Sequence, residues 1–362
     1  MSDLIYPTLK LFIYDLQEGL GDNQDQLQAN RDCFLKKLPA SIHNLVLQFD
    51  KTSDSDYIQL LGDTQICRFN TTFKGKKLEG FYYPVRLNDT YSLLLDCSID
   101  NKKIPELAVA SIGILKKQIN EKLSNQSGTL GQTWMIAGCL PNHVTKTAEA
   151  LAQECYKSLM PNGNWDEDYQ EKGIFLGGDI FELWRYTSSE NYHIIIILYP
   201  NVPTEEIAAS LNFDWLQLFY YRHKIMRAYS QSQYIKTLLK QYFIKIKEEY
   251  VGELPQKDSQ WLNFKKLRSI AVKAQKTLAQ YSINLGYLEN QINTIEINLL
   301  NYQRHLAKMK EKAASETLKL FLPKEVLSQI PTPASYLMLT GSQIYSLVAQ
   351  LAKLPVSRAP VQ

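Results

Sequence analysis

Histidine and cysteine are the side chains best suited to acid–base, nucleophilic or metal chemistry, and the chain has five of each. None of His43, His143, His193, His223 and His305 is spaced from another as a metal-binding pair. Cys33, Cys67, Cys97, Cys139 and Cys155 are an odd number with no CxxC pair, so neither a zinc ribbon nor a redox motif is present. His143 follows Cys139 closely enough for a Cys–His nucleophile pair. No neighbour supplies the orienting third group or an oxyanion turn.

The glycine-rich stretch EGLGDN (18–23) has the strand-to-helix context of a phosphate loop but lacks GxGxxG spacing and a Walker Lys-Ser/Thr. It reads as a plain turn with Asp22 as helix N-cap, and FLGGD (175–179) reads as a bulge or turn. The acidic WDEDYQEK (165–172) lacks the alternation and glycine of a calcium loop and reads as solvated. The last candidate is FYYRHKIMRAYSQSQY (219–234), where Arg222, Lys224 and Arg227 stand among tyrosines. Cations with aromatics suit an acidic protein partner, the chain's own first half included, or a nucleic-acid backbone; the plain alternative is a solvated helix face whose tyrosines pack the bundle. The expectation is therefore no catalytic residue, no metal site and no cofactor.

The elements that position these residues fall into two halves of opposite charge. Residues 212–362 carry 21 Lys+Arg against 10 Asp+Glu, leaving 19 against 27 in residues 1–211, for a net +3 over 362 residues. A sign change at one point along the chain suggests two domains, with attraction between them or between neighbouring copies.

The acidic half, 1–211, reads as an α+β recognition domain. Strands are expected at 8–16, 43–50, 56–62, 78–86 and 91–97, with helices at 23–38 and 105–123. The order then recurs: a strand at 133–140, a helix at 141–160, strands at 174–186 and 191–199, and a short helix at 203–211. This repetition fits a duplicated ferredoxin-like or related α+β unit. HIIIILYP (193–200) is too short to span a membrane and reads as a buried central strand.

The basic half changes period. Phe264, Leu267, Ala271, Ala274, Leu278, Tyr281, Leu285, Leu288, Ile292, Ile295, Leu299, Tyr302, Leu306, Met309 and Ala313 alternate spacings of three and four without a slip. At 45% hydrophobic content, chance fills such a register roughly once in 10⁵ trials, so this is a sustained heptad seam. Leu218, Tyr221, Ile225, Ala228, Ser232, Ile235, Leu239, Tyr242 and Ile246 carry the same rhythm before a break at VGELPQKDS (251–259). Residues 212–321 are thus expected to form a long antiparallel helical hairpin or coiled coil, the second helix outrunning the first. Residues 322–362 are expected to form a proline-rich linker and a C-terminal apolar helix over 335–354, which packs in the bundle or contacts a membrane. The opening MSDLIYPTLK has no signal-peptide pattern, so a cytoplasmic location is expected.

A domain followed by a long helix and an apolar terminal helix resembles CorA-type magnesium channels, but no Gly-Met-Asn motif is present. The segment LFIYDLQEGLGD (11–22), the α+β half and the coiled half together resemble the CATRA family, caspase- and TPR-repeat-associated proteins of bacterial conflict systems. That resemblance covers most of the chain and carries over no catalytic residue. It implies a non-enzymatic adaptor of antiviral defence that recognises an invasion signal or scaffolds a caspase-like or CHAT peptidase. From the residues themselves, the expectations are an assembly protein first, a nucleic-acid binder second and a membrane-active protein third.

Overall fold

Branched and aromatic side chains alternate along LIYPTLKLFIYDL, which forms strand β1 (Leu4–Leu16). The computed structural model describes residues 4–19, 21–51, 55–73, 75–99, 106–107, 109–141, 146–186, 191–246, 248 and 264–313. β1 lies mid-way in a ten-stranded sheet. From one edge the strands are β2 (Tyr57–Gln59), β4 (Lys76–Leu87), β5 (Thr90–Ile99), β1, β7 (Gly131–Cys139), β10 (Asn191–Tyr199), β9 (Gly178–Tyr186) and β8 (Tyr169–Phe175). β3 (Cys67–Phe73) pairs with β4, and β6 (Glu106–Leu107) pairs with β1. The pair β7·β10 is parallel, whereas β1 runs antiparallel to both β5 and β7. The protein is therefore an α+β protein with a mixed sheet.

A proline inside a central strand removes a ladder donor, so Pro7 needs local irregularity. The β1·β7 register shifts between Ile5 and Thr8, and Tyr6 adopts a φ of 48° beside it. The proline is thereby accommodated at a bulge.

Both faces of the sheet are covered. Leu9, Leu11 and Ile13 join one apolar core with residues of α1 (Gln24–Leu35), α2 (His43–Asp50), α3 (Ser111–Lys122) and α4 (Ala148–Leu159). The alternate side chains Phe12 and Tyr14 point the other way, toward α7 (Asn212–Lys245): the Phe12 and Phe219 rings lie 5.1 Å apart, and the Tyr14 hydroxyl donates to the Leu216 carbonyl at 2.8 Å. α6 (Val202–Ala209) covers the same face, where the Cys139 thiol donates to Glu205 at 3.2 Å. One ion pair is sealed inside this structure: Lys37 Nζ sits 3.0 Å from Asp15, with side-chain exposures of 0% and 1%.

Several elements differ from expectation. Residues 43–50 form helix α2, not a strand. Leu45, Leu47 and Phe49 alternate like a strand, but the residues the helix buries are Val46 and Asp50, four apart. Asp50 drives that choice, accepting from Arg31 at 3.1 Å, Arg86 at 2.9 Å and Tyr91 at 2.7 Å. The acidic 165–172 stretch is ordered as α5 (Trp165–Asp168) and the start of β8, with Asp168 held by Arg185, Tyr156 and Tyr192. The long strand expected over 174–186 is a hairpin, β8 to β9, turning at Leu176 and Gly177 with positive φ of 52° and 73°. Asn23 caps α1, in a capping box with Gln26; Asp22 instead closes the turn onto the Gly19 amide at 2.7 Å.

Two compact units divide the described residues: those up to Lys224 with those from Leu299 onward, and Ile225–Asn298. In the second unit, Ile235 and Leu239 of α7 pack with Tyr281, Leu288 and Ile292 of α8 (Phe264–Lys312), and Ile246 packs with Ile270 and Ala274. Later residues of α7 meet earlier residues of α8, so the two run antiparallel. In the first unit the end of α8 returns to the start of α7. His305 Nε2 donates to the Asp214 carbonyl at 2.9 Å, and Lys312 pairs with the Asp214 carboxylate at 2.7 Å.

Candidate functional site

Of the expected interface residues on α8, one heptad row forms the centre of the buried stripe: Ala274, Tyr281, Leu288, Ile295, Tyr302 and Met309 are all buried. The second apolar row flanks it. Leu278, Leu285, Leu299 and Leu306 are half-buried, Ile292 is buried, and the side chain of Leu267 lies outside the described residues. On the opposite flank a row absent from the expected seam is buried: Ile270, Thr277, Asn284, Asn298 and His305. Polar residues at such positions fix register at some cost in stability. Asn298 turns its amide back onto the Thr294 carbonyl at 2.7 Å. On α7 and just past its end the rhythm is kept: Leu218, Ile225, Ala228, Ser232, Ile235, Leu239 and Ile246 are buried, with Tyr221 and Tyr242 half-buried.

The basic, tyrosine-rich segment does not present its cations together. Arg222 is 1% exposed, Lys224 pairs with Asp89 of the acidic half, and Arg227 is exposed. The Lys224–Asp89 contact is one ion pair between this segment and the turn after β4.

Arg222 is instead buried beside a polar network that spacing alone does not reveal, its Nε and Nη1 without hydrogen-bond partners among the described residues. Parallel pairing places His193 of β10 level with Thr133 of β7. The Thr133 hydroxyl lies 2.9 Å from His193 Nδ1 and 2.9 Å from His223 Nε2, while His193 Nε2 lies 2.9 Å from Glu182 of β9. His223 reaches this position over Gly131, where a Cβ would stand 2.3 Å from its Nδ1. Only glycine permits that approach. Burial, and then the charge of Arg222, hold both imidazoles well below the ordinary 6.5, so they are neutral. Burial also lowers Arg222, against the attraction of Glu182 and Tyr302. Each histidine is 1% exposed, so neither meets a substrate from solvent while α7 is in place. The arrangement ties α7 to the sheet.

A second polar group lies under α6. Lys10 reaches Asn212 at 2.7 Å and Asp96 at 3.9 Å. Burial pushes Asp96 up to about 6 and Glu205 up to about 7, with Lys10 opposing both. Burial raises the Cys139 thiol as well, the reverse of an activated nucleophile. His143, its possible partner by spacing, lies outside the described residues. Among the described residues no three His, Cys, Asp or Glu side chains converge to hold a metal ion.

No family model, curated protein or solved structure matches the chain.

These shifts act in opposite directions on stability. A histidine whose folded pKa is lowered contributes stability that is complete above about pH 6.5 and is lost as pH falls toward the folded value. His193, His223 and His305 are all of this kind. Asp96 and Glu205, raised from 3.8 and 4.5 in the unfolded chain, bind protons preferentially in the folded state. They stabilise it as pH falls from about 7 toward about 4. Each group contributes at most about 1.4 kcal/mol per pH unit, so the carboxylates offset part of the histidine loss. Asp96→Asn with Glu205→Gln is expected to steepen the loss of stability between about pH 6.5 and 5. Urea midpoints measured across that range check this, and a slope equal to wild type contradicts it.

Proposed function

We propose that the protein is a non-enzymatic adaptor that uses the α7/α8 pair to assemble with itself and to dock a protein effector, the α+β unit serving as recognition module. The observation that carries this reading is α8, 49 residues long, with one face buried on a heptad period and large apolar side chains exposed elsewhere on its surface. A helix of this form is a coiled-coil element: it has a finished seam and surface left for another partner.

The resemblance to CATRA proteins assigns the effector as a caspase-like or CHAT peptidase in bacterial defence, acting in the cytoplasm. Support for this assignment is the layout, an α+β unit joined to long paired helices, together with functional groups that are sealed in the interior. A duplicated origin of the sheet is supported by the common order of strand, helix, antiparallel ribbon and helix on either side of the β1·β7 pair. It is opposed by the closing strands, since β5 is antiparallel to β1 whereas β10 is parallel to β7.

Nucleic-acid binding through Arg222, Lys224 and Arg227 draws less support, because one of these cations is buried and another is paired. For a membrane role, no helix among the described residues is long and apolar enough to cross a bilayer, and residues 335–354 lie outside them.

The test is affinity capture of the tagged chain from its host with nuclease present. A protein recovered in stoichiometric amount is the expected result. Recovery of the chain alone, as a 41.7 kDa monomer, contradicts the proposal.

A further inference from the structure

The outward side of α8 breaks two rules of an ordinary solvated helix. Ile283 and Ile297 are 50% and 61% exposed, and Tyr287 beside them is 44% exposed. Between Lys276 and Arg304 the helix has only two charged residues, Glu289 and Glu296. Both stand about 100° around the helix from the Ile283–Ile297 row. Gly286, next to these side chains, has nothing within 4 Å of where a Cβ would be. A glycine inside a helix costs about 1 kcal/mol against alanine, and here no described neighbour requires it. A close-packing external helix would.

The order of residues on this side says what that helix is. Starting from Lys276 and stepping by heptads, the row reads Lys276, Ile283, Asn290, Ile297 and Arg304. It is the same in both directions about Asn290: cation, isoleucine, amide, isoleucine, cation. A two-fold axis perpendicular to a helix pairs it antiparallel with itself, each residue meeting its mirror position.

We propose that this face of α8 docks a second copy of the chain, antiparallel, with the two-fold axis at Asn290. Ile283 then packs on Ile297 of the second copy, Gly286 admits the opposing Thr294, and the two Asn290 amides exchange donor and acceptor. Lys276 and Arg304 meet like charges at the rim, so added salt strengthens the pairing by screening them. Neither an effector nor residues 335–354 of the same chain would need a row symmetric about one residue. The proposal rests on the reading of α7/α8 as an assembly element and names one of its partners.

Cysteine cross-linking of the full chain tests the axis directly. Under mild oxidation Asn290→Cys is expected to give a disulfide-linked dimer. Ile283→Cys or Ile297→Cys alone gives little, and a mixture of those two cross-links. Wild type, whose five cysteines are buried or half-buried, sets the baseline. Ile283→Glu with Ile297→Glu, both at exposed positions, is expected to return the chain to 41.7 kDa with unchanged helicity. A wild-type monomer at tens of micromolar, or equal cross-linking from all three single cysteines, overturns the proposal. So does a monomer whose Cys at 290 is protected from alkylation, since residues 335–354 would then cover the face. A monomer that still captures a stoichiometric protein removes this dimer and leaves the adaptor reading standing, whereas a dimer that captures nothing does the reverse.

Discussion

Replacing Leu288 and Ile292 together by aspartate is expected to separate the helices of Ile225–Asn298 while the sheet unit stays folded. Leu288 and Ile292 are 1% and 2% exposed and pack with Ile235, Leu239 and Tyr281. Each substitution forfeits the burial of a branched side chain, about 2–3 kcal/mol. It also sets a carboxylate in an apolar seam, where it must be desolvated or protonated without a partner. For the pair the loss is on the order of 5 kcal/mol or more, which exceeds what a two-helix contact supplies. Far-ultraviolet circular dichroism should show a clear fall in helicity. Tryptophan fluorescence should hold in large part, because four of the five tryptophans, Trp134, Trp165, Trp184 and Trp215, lie in the sheet unit. Unchanged helicity would show that this seam does not hold the helices together.

The second large effect is expected at the sealed ion pair between α1's end and the central strand. Lys37→Met leaves Asp15 buried with the Thr129 amide, 2.8 Å away, but no cation. Removing one partner of a buried pair costs about 3–5 kcal/mol, because the remaining charge is uncompensated. Adding Asp15→Asn should recover most of the loss: the amide oxygen still accepts from Thr129, and no net charge remains buried. Urea denaturation of the two single variants and the double variant measures the coupling. Losses that simply add would mean that the pair is not the source of the cost.

The elements that declare themselves along the chain are those whose burial follows a single period. β1 with its alternation, the β4–β5 hairpin at its Asn-Asp turn, the continuous apolar β10 and the heptads of α7 and α8 are all of this kind. α2 is ambiguous because LVLQF satisfies both periods, and the choice is made by Asp50 meeting Arg31, Arg86 and Tyr91 from other elements. β3 is missed because its residues alternate between half-buried and exposed, with little apolar contrast to detect. On α8 the apolar count picks out two rows, but burial also takes in Thr277, Asn284, Asn298 and His305. Packing, not hydrophobicity, selects that flank. The Glu182–His193–Thr133–His223 network depends on the strand register of β7, β9 and β10 and on a helix that joins them from far along the chain. Four residues scattered over positions 133 to 223 have no local signature. His193 at the head of an isoleucine run is the one available signal, since a buried polar group requires a partner.

The central claim is that this chain works by joining proteins through its long helices, and a paired capture experiment addresses it most directly. Tagged wild type and the Leu288→Asp/Ile292→Asp variant would be recovered from the native host with nuclease present, and the bound proteins identified and quantified by mass spectrometry. A peptidase or repeat protein bound in stoichiometric amount to wild type and absent from the variant is the predicted result. The same proteins recovered with both chains, or none with either, would contradict it.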